Sequence, residues 1–186
     1  MPHFQCTIGN TLLLVIDVQE RFAPAIPAIA AGGPAAASME TLVKGCQLLG
    51  IPTLISQQYP RGLGQTLGHI QKHAPEAQVL DKTHFSAVDD PAIRGALAAS
   101  EADYIIVCGI EAHICVLATV ADLQQRGYQA LVCSDGIASR NPQHCESALA
   151  SMRQLGALAM PAESILFRLQ RQAGVGAFKA LQGLVK

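Results

Sequence analysis

Apolar segments that do not alternate with polar residues, each followed by a helical pattern, restrict this chain more than any other feature. Thr11 to Ile16 and Tyr104 to Cys108 are continuous runs of aliphatic and β-type residues, and Gln129 to Cys133 is nearly so. A strand with one face in water alternates, whereas a strand covered on both faces does not. Covered strands separated by helices imply a parallel sheet with helices on each side. The expected fold class is α/β, a doubly wound sheet of about six mainly parallel strands forming one domain over residues 1–186.

Punctuation residues supply the remaining elements. Pro52 to Ser56, Gln78 to Lys82 and Gly156 to Met160 read as the shorter strands. Ser38 is placed to cap a helix running to Leu49, with Glu40 in its first turn and Gly50 ending it. The Ala/Gly/Pro-rich stretch Ala23 to Ala37 reads as a loop inside the domain, and Gln57 to Gly68 as a second loop. Asp89 or Asp90 caps a helix that opens on Pro91 and ends near Ser100. Another helix runs from about His113 to Arg126 and stops at Gly127. An Asp135-Gly136 turn closes the strand that begins at Gln129. Pro142 to Leu155, Pro161 to Gln170 and Gly176 to Leu184 complete the helices.

Composition narrows the partners. Thirteen Lys and Arg against fourteen Asp and Glu leave a net charge of −1, which argues against a nucleic-acid footprint or an electrostatic membrane anchor. No apolar run reaches the roughly 18 residues of a membrane span. Met1 to Gln5 lacks the pattern of a secretory leader, so a cytoplasmic protein is expected. The six cysteines, Cys6, Cys46, Cys108, Cys115, Cys133 and Cys145, contain no C-x-x-C and no zinc-type Cys/His spacing. They read as free thiols in a reducing compartment, with Cys108 and Cys133 as apolar filler of strands. Gly62-Leu63-Gly64 is not a dinucleotide fingerprint, because position 67, where a third glycine belongs, is Leu67. No cofactor and no metal are expected.

Ligands of doubly wound sheets bind outside the carboxyl ends of the strands. Three reactive residues fall there: Asp17 after the first strand, Lys82 ending the third, and Cys115 opening the helix after the fourth. Each alone has an ordinary explanation, as a turn acid, a surface lysine and an apolar helix residue. Together they point to a hydrolase site as the expectation to test. The helix start and a nearby ammonium favour the Cys115 thiolate, Asp17 supplies a base, and backbone N–H groups there can hold an oxyanion.

At these residues the chain resembles the isochorismatase-like cysteine hydrolases. The matching segments are LLLVIDVQERF (Leu12 to Phe22), LDKTHFSA (Leu80 to Ala87) and the long VCGIEAHICVLATVADLQQRGYQALVCSDGIASR (Val107 to Arg140). The resemblance implies a catalytic triad of Asp17, Lys82 and Cys115. It also implies a cis peptide between Ile110 and Glu111, with the N–H groups of Glu111 and Cys115 as the oxyanion hole. The QYPRGLG and GIEAHICV segments look most like the isochorismatase domain-containing subgroup. Because members of the family are commonly homo-oligomers, a homo-oligomer acting on a small-molecule substrate is expected.

The departures are informative. The nicotinamidase branch carries an Asp/His metal site after its second strand; here Ser56 to Gly64 holds neither residue. His69 and His73 share a helix face by spacing but read as a solvated polar face. Isochorismatases proper cleave a vinyl ether without the cysteine, so retention of Cys115 points to amide-type chemistry. His113 or His84 as base of a Cys-His dyad is an alternative, as is a catalytically idle scaffold. A phosphatase role for Asp17 is set aside, because Gln19 stands where a second acid belongs. Phe22, Tyr59 and Phe85 each follow a strand end and are candidates to line a small substrate pocket. Asp135 reads as a turn-fixing residue.

Overall fold

The computed structural model describes residues 5–185; of the N-terminal stretch read for a leader, only Gln5 lies within that range. Six strands form one sheet: β1 (Thr11–Ile16), β2 (Thr53–Gln58), β3 (Gln78–Lys82), β4 (Tyr104–Ile110), β5 (Gln129–Ala138) and β6 (Leu158–Met160). Their order is β3-β2-β1-β4-β5-β6, and every pairing is parallel. The helices are α1 (Pro34–Leu49), α2 (Pro60–Leu63), α3 (Gly68–Gln71), α4 (Pro91–Ala99), α5 (Leu117–Gln125), α6 (Pro142–Gln154), α7 (Ala162–Gln170) and α8 (Phe178–Leu184).

Burial explains why the strands carry no polar alternation. β1 and β4 are buried at every position. In β1, Leu13 and Val15 pack with Met39 and Leu42 of α1 and with Ile165 of α7; Leu12, Leu14 and Ile16 pack with Leu97 of α4, Val120 of α5 and Met152 of α6. Two apolar layers therefore sandwich a single sheet. The strand order reverses between β1 and β4, so the carboxyl ends of those two strands flank the switch-point crevice where such sheets bind ligands.

Several boundaries differ from the sequence reading. α1 begins at Pro34 with Gly33 as its N-cap, not at Ser38: a proline suits the first helical position, and this outweighs the preference of serine for the cap. Asp90 caps α4 as expected, accepting from the N–H groups of Ala92 and Ile93 at 2.9 and 3.4 Å. β5 does not end at Asp135-Gly136. A bulge opposite β4 absorbs the irregularity, and pairing resumes at Gly109↔Ile137 and Ile110↔Ala138. The helix read from His113 begins as a π-type turn over Ala112–Val116 before α5.

Gly109 marks where β4 comes closest to β1. Its φ is +123°, and a Cβ there would collide with the backbone carbonyl of Ile16. Only glycine fits, and its absence of a side chain lets the end of β4 lie directly beside Asp17.

Candidate active site

The chain leaves β1 at Asp17 in the left-handed region (φ 54°), which Asp tolerates better than most residues. Its N–H still donates to the Ser56 carbonyl at 3.1 Å. The carboxylate accepts from Ser56 Oγ at 2.8 Å through Oδ1 and from Lys82 Nζ at 2.7 Å through Oδ2. The ion pair is enclosed, with side-chain exposures of 0% for Lys82 and 1% for Asp17. Lys82 reaches it from the last position of β3, the edge strand. The ammonium also donates to Gln58 Oε1 at 2.6 Å and to the carbonyls of His84 and Phe85 at 3.1 and 3.3 Å. A charged pair so deep persists because every polar atom in it is satisfied.

A layer of buried amides holds this arrangement, and the sequence reading did not find it. Gln19 Oε1 accepts from Gln58 N at 2.8 Å, while its Nε2 donates to the carbonyls of Gln58 (3.0 Å) and Gly64 (2.7 Å). Gln57 Oε1 accepts from the N–H of Thr66 at 2.7 Å and from its hydroxyl at 2.9 Å. The available signal was the pair of adjacent glutamines ending β2, a strand buried through its middle.

Cys115 lies in the π-type turn, a geometry that recurs at functional sites. The peptide between Ile110 and Glu111 is cis, as the resemblance implies. Glu111 O accepts from the N–H groups of Ile114 and Val116 at 3.0 and 3.2 Å, tying the turn to the end of β4. The Glu111 carboxylate accepts from Arg140 N at 3.1 Å and Arg140 Nε at 3.0 Å. Burial alone would raise the Glu111 pKa, but its hydrogen bonds with Arg140 and the guanidinium charge outweigh this and hold the carboxyl below its ordinary range.

The electrostatics correct one expectation. The helix start and Lys82 do not depress the Cys115 pKa. Burial first, and the Asp17 charge with it, push the thiol up to about 12, with Lys82 offsetting only part of the rise. Asp17 is also raised from its ordinary value, by burial first, against the opposing pulls of Lys82, Ser56 and the Cys115 thiol. The resting pair is thus a neutral thiol beside a carboxylate with enhanced affinity for a proton. That is the arrangement of a nucleophile and its base before proton transfer.

Other candidates are placed elsewhere. The His113 ring nitrogen Nδ1 lies 3.0 Å from Ser139 Oγ, and its ring sits 4.6 Å from that of His144, so its partners are just after β5 and on α6. His84 contributes its carbonyl to Lys82 and is exposed. Phe22 is half-buried against the α1-side core, whereas Tyr59 and Phe85 are 55% and 64% exposed. The three aromatics therefore have different surroundings. Tyr59 lines an open cleft of about 320 Å³ together with Arg61, Lys82, Thr83 and Asp90. A larger cavity, about 530 Å³, lies by the amino ends of β2 and β3 and is lined by none of Asp17, Lys82 and Cys115. Asp135 accepts from Ala162 N at 2.9 Å and so caps α7.

His69 and His73 are not a solvated face. His69 lies 3.1 Å from Glu40 Oε1 and, through its other nitrogen, 3.1 Å from the Ile29 carbonyl; His73 lies 3.4 Å from Glu40 Oε2. Among the described residues, no cluster of three or more His, Cys, Asp or Glu is arranged to hold a metal. The loop after β2 presents neither an acid nor an imidazole, so its donor set does not fit the metal of the nicotinamidase branch.

Comparison with known proteins gives the family and the fold. The isochorismatase domain profile matches residues 11–164. Isochorismatase domain-containing protein 2A of Mus musculus is 36% identical over 178 residues, covering 95% of this chain and 83% of its own length. The secreted isochorismatase effector Isc1 of Phytophthora sojae is 34% identical over 185 residues, covering 95% and 85%. Among solved structures, MAR1 ribonuclease from Caenorhabditis elegans superposes with a TM-score of 0.89 at 32% identity, covering 97% of this chain and 92% of that one. Profile, relatives and fold agree: the chain belongs to the isochorismatase-like hydrolase family.

Proposed function

We propose that the protein is a cysteine hydrolase of small amides, working through a thioester on Cys115. The observation that carries this reading is the enclosed Asp17–Lys82 pair, coupled to the Cys115 thiol at the β1/β4 switch point. Asp17 takes the thiol proton, and the sulfur attacks the carbonyl carbon of the amide. The N–H groups of Glu111 and Cys115 hold the oxyanion; losing one such donor typically costs about a hundredfold or more in rate. Protonated Asp17 gives its proton to the nitrogen as the C–N bond breaks and the amine departs. Water then attacks the thioester with Asp17 again as base, releasing the acid and restoring the thiol. Lys82 acts by charge and by holding Asp17 in place, and no cofactor enters any step.

Phe22, Tyr59 and Phe85 are the residues we assign to the pocket walls. A net charge of −1 suits a small substrate better than a polynucleotide. The free thiols suit a reducing, cytoplasmic setting, and the exposed apolar residues Leu48, Leu155 and Val175 suit burial between copies in a homo-oligomer.

A panel of small primary amides, read by ammonia release, and of imides, read by the acid that C–N cleavage frees, tests the reading. At least one should be turned over. Since Asp17 must be ionised to act and its pKa is raised, the rate should fall with acid at a higher pH than an ordinary carboxylate would give. Ammonia release that survives complete alkylation of Cys115 contradicts the reading. Silence across the panel favours the idle scaffold.

A further inference from the structure

The mechanism leaves the Cys115 thiolate, once formed, without an obvious side-chain donor. Lys82 cannot serve. An ammonium has three protons, and Lys82 Nζ already faces four acceptors: Asp17 Oδ2, Gln58 Oε1 and the carbonyls of His84 and Phe85. Its help to the sulfur is through-space charge only. The backbone N–H groups of Glu111 and Cys115 are assigned to the substrate oxyanion.

One buried hydroxyl, on the residue after Phe85, has no partner. Ser86 is 4% exposed, and its Oγ makes no hydrogen bond. The residue stands at the N-cap of the short 3-10 turn Ala87–Asp89, where a serine hydroxyl ordinarily accepts from the backbone, yet it makes no such bond. The neighbouring N–H of Ala87 donates instead to Thr119 Oγ1 at 2.9 Å. Thr119 follows Cys115 by four residues, and residues at that spacing share a helix face. On the other side, the carbonyl of Phe85 accepts from Lys82. Ser86 is thereby pinned between the ammonium that holds Asp17 and the helix face that carries Cys115. Its flanking residues Ala87 and Val88 belong to the same packed layer as Cys115. An enclosed, unpaired hydroxyl is costly and calls for an explanation.

We propose that Ser86 is a further residue of the reacting centre, whose hydroxyl donates to the Cys115 sulfur once the thiol proton has passed to Asp17. No other bond is made or broken: the proton moves from sulfur to carboxylate, and the Ser86 side chain, which has no hydrogen bond to give up, turns its hydroxyl toward the new anion. This rests on Cys115 being the nucleophile and does not depend on which amide is the substrate.

Iodoacetamide alkylation of Cys115 across pH, followed by peptide mass, reads the thiolate without any substrate. Ser86→Ala should slow alkylation near neutral pH by about tenfold, the effect of losing one hydrogen bond to a charged group. Ser86→Thr, which keeps the hydroxyl, should restore most of the rate. The melting temperature of Ser86→Ala should stay level or rise, because an unpaired buried polar group is removed. A purely structural serine would lower the melting temperature and leave the alkylation profile unmoved. Wild-type alkylation rates in Ser86→Ala overturn the proposal alone, leaving the amide reading intact. An inert Cys115 in the wild-type protein overturns both. A reactive Cys115 slowed by Ser86→Ala, in a protein that releases no ammonia from any amide, supports the role of Ser86 and rejects the amide substrate.

Discussion

Cys115→Ala is expected to lower ammonia release by at least about 10,000-fold while leaving the fold in place. The size of the effect follows from the chemistry. With no sulfur, Asp17 has no proton to take in the first step and no thioester can form. What remains is whatever acceleration the oxyanion donors give to direct attack by water. The structural cost is small by comparison. Cys115 is buried among Ala112, Val116 and Ala87, and deleting one sulfur there should cost on the order of 1 kcal/mol. Circular dichroism and a melting curve close to wild type, measured beside the ammonia assay, separate lost chemistry from lost structure. Activity within tenfold of wild type would mean that another group attacks.

Lys82→Met should instead damage both stability and activity. Removing the ammonium leaves the Asp17 carboxylate enclosed without its counter-charge, and Gln58 Oε1 and the carbonyls of His84 and Phe85 lose their donor. Breaking a buried pair from one side typically costs about 3–5 kcal/mol. For a domain of this length that corresponds to a fall in melting temperature of about 6–20 °C. The Asp17→Asn/Lys82→Met double variant should recover part of that loss, because no unpaired charge is then buried. It should recover none of the activity. A single variant melting within about 2 °C of wild type would show that the pair does not support the fold as its burial indicates.

How far these features could be read from sequence depended on whether their cause was local. β1 and β4 were legible because burial on both faces leaves a continuous apolar run. Asp90-Pro91 was legible because a capping acid followed by proline acts over a few residues. That Asp17, Lys82 and Cys115 share one rim was legible from their places at or just after strand ends, where a doubly wound sheet binds its ligands. Asp135-Gly136 misled because this pair normally makes a tight turn. Here the Asp135 carboxylate is spent on capping α7, and the strand continues through a bulge. Ser38 misled because a better start, Gly33-Pro34, lay only a few residues earlier inside a stretch that looked featureless.

The errors at the site itself came from burial, which no local pattern reports. The Cys115 thiol was expected to be acidified by the helix start and by Lys82, but desolvation and the Asp17 charge dominate. The amide network of Gln19, Gln57 and Gln58 joins residues 39 apart in sequence and has no motif. His69 and His73 looked solvated until α1 placed Glu40 against them. Ser86 belongs with these: its sequence context suggests a cap, and only the packed structure shows a hydroxyl with no cap to make.

The central claim is covalent attack by Cys115, and the most direct measurement is the mass of the protein quenched in acid during turnover of an amide found by the ammonia screen. A thioester predicts a species heavier by the acyl group, mapping to the peptide that contains Cys115 and removed by hydroxylamine. Sustained turnover with no adduct at Cys115, or with the acyl group on any other residue, would contradict it.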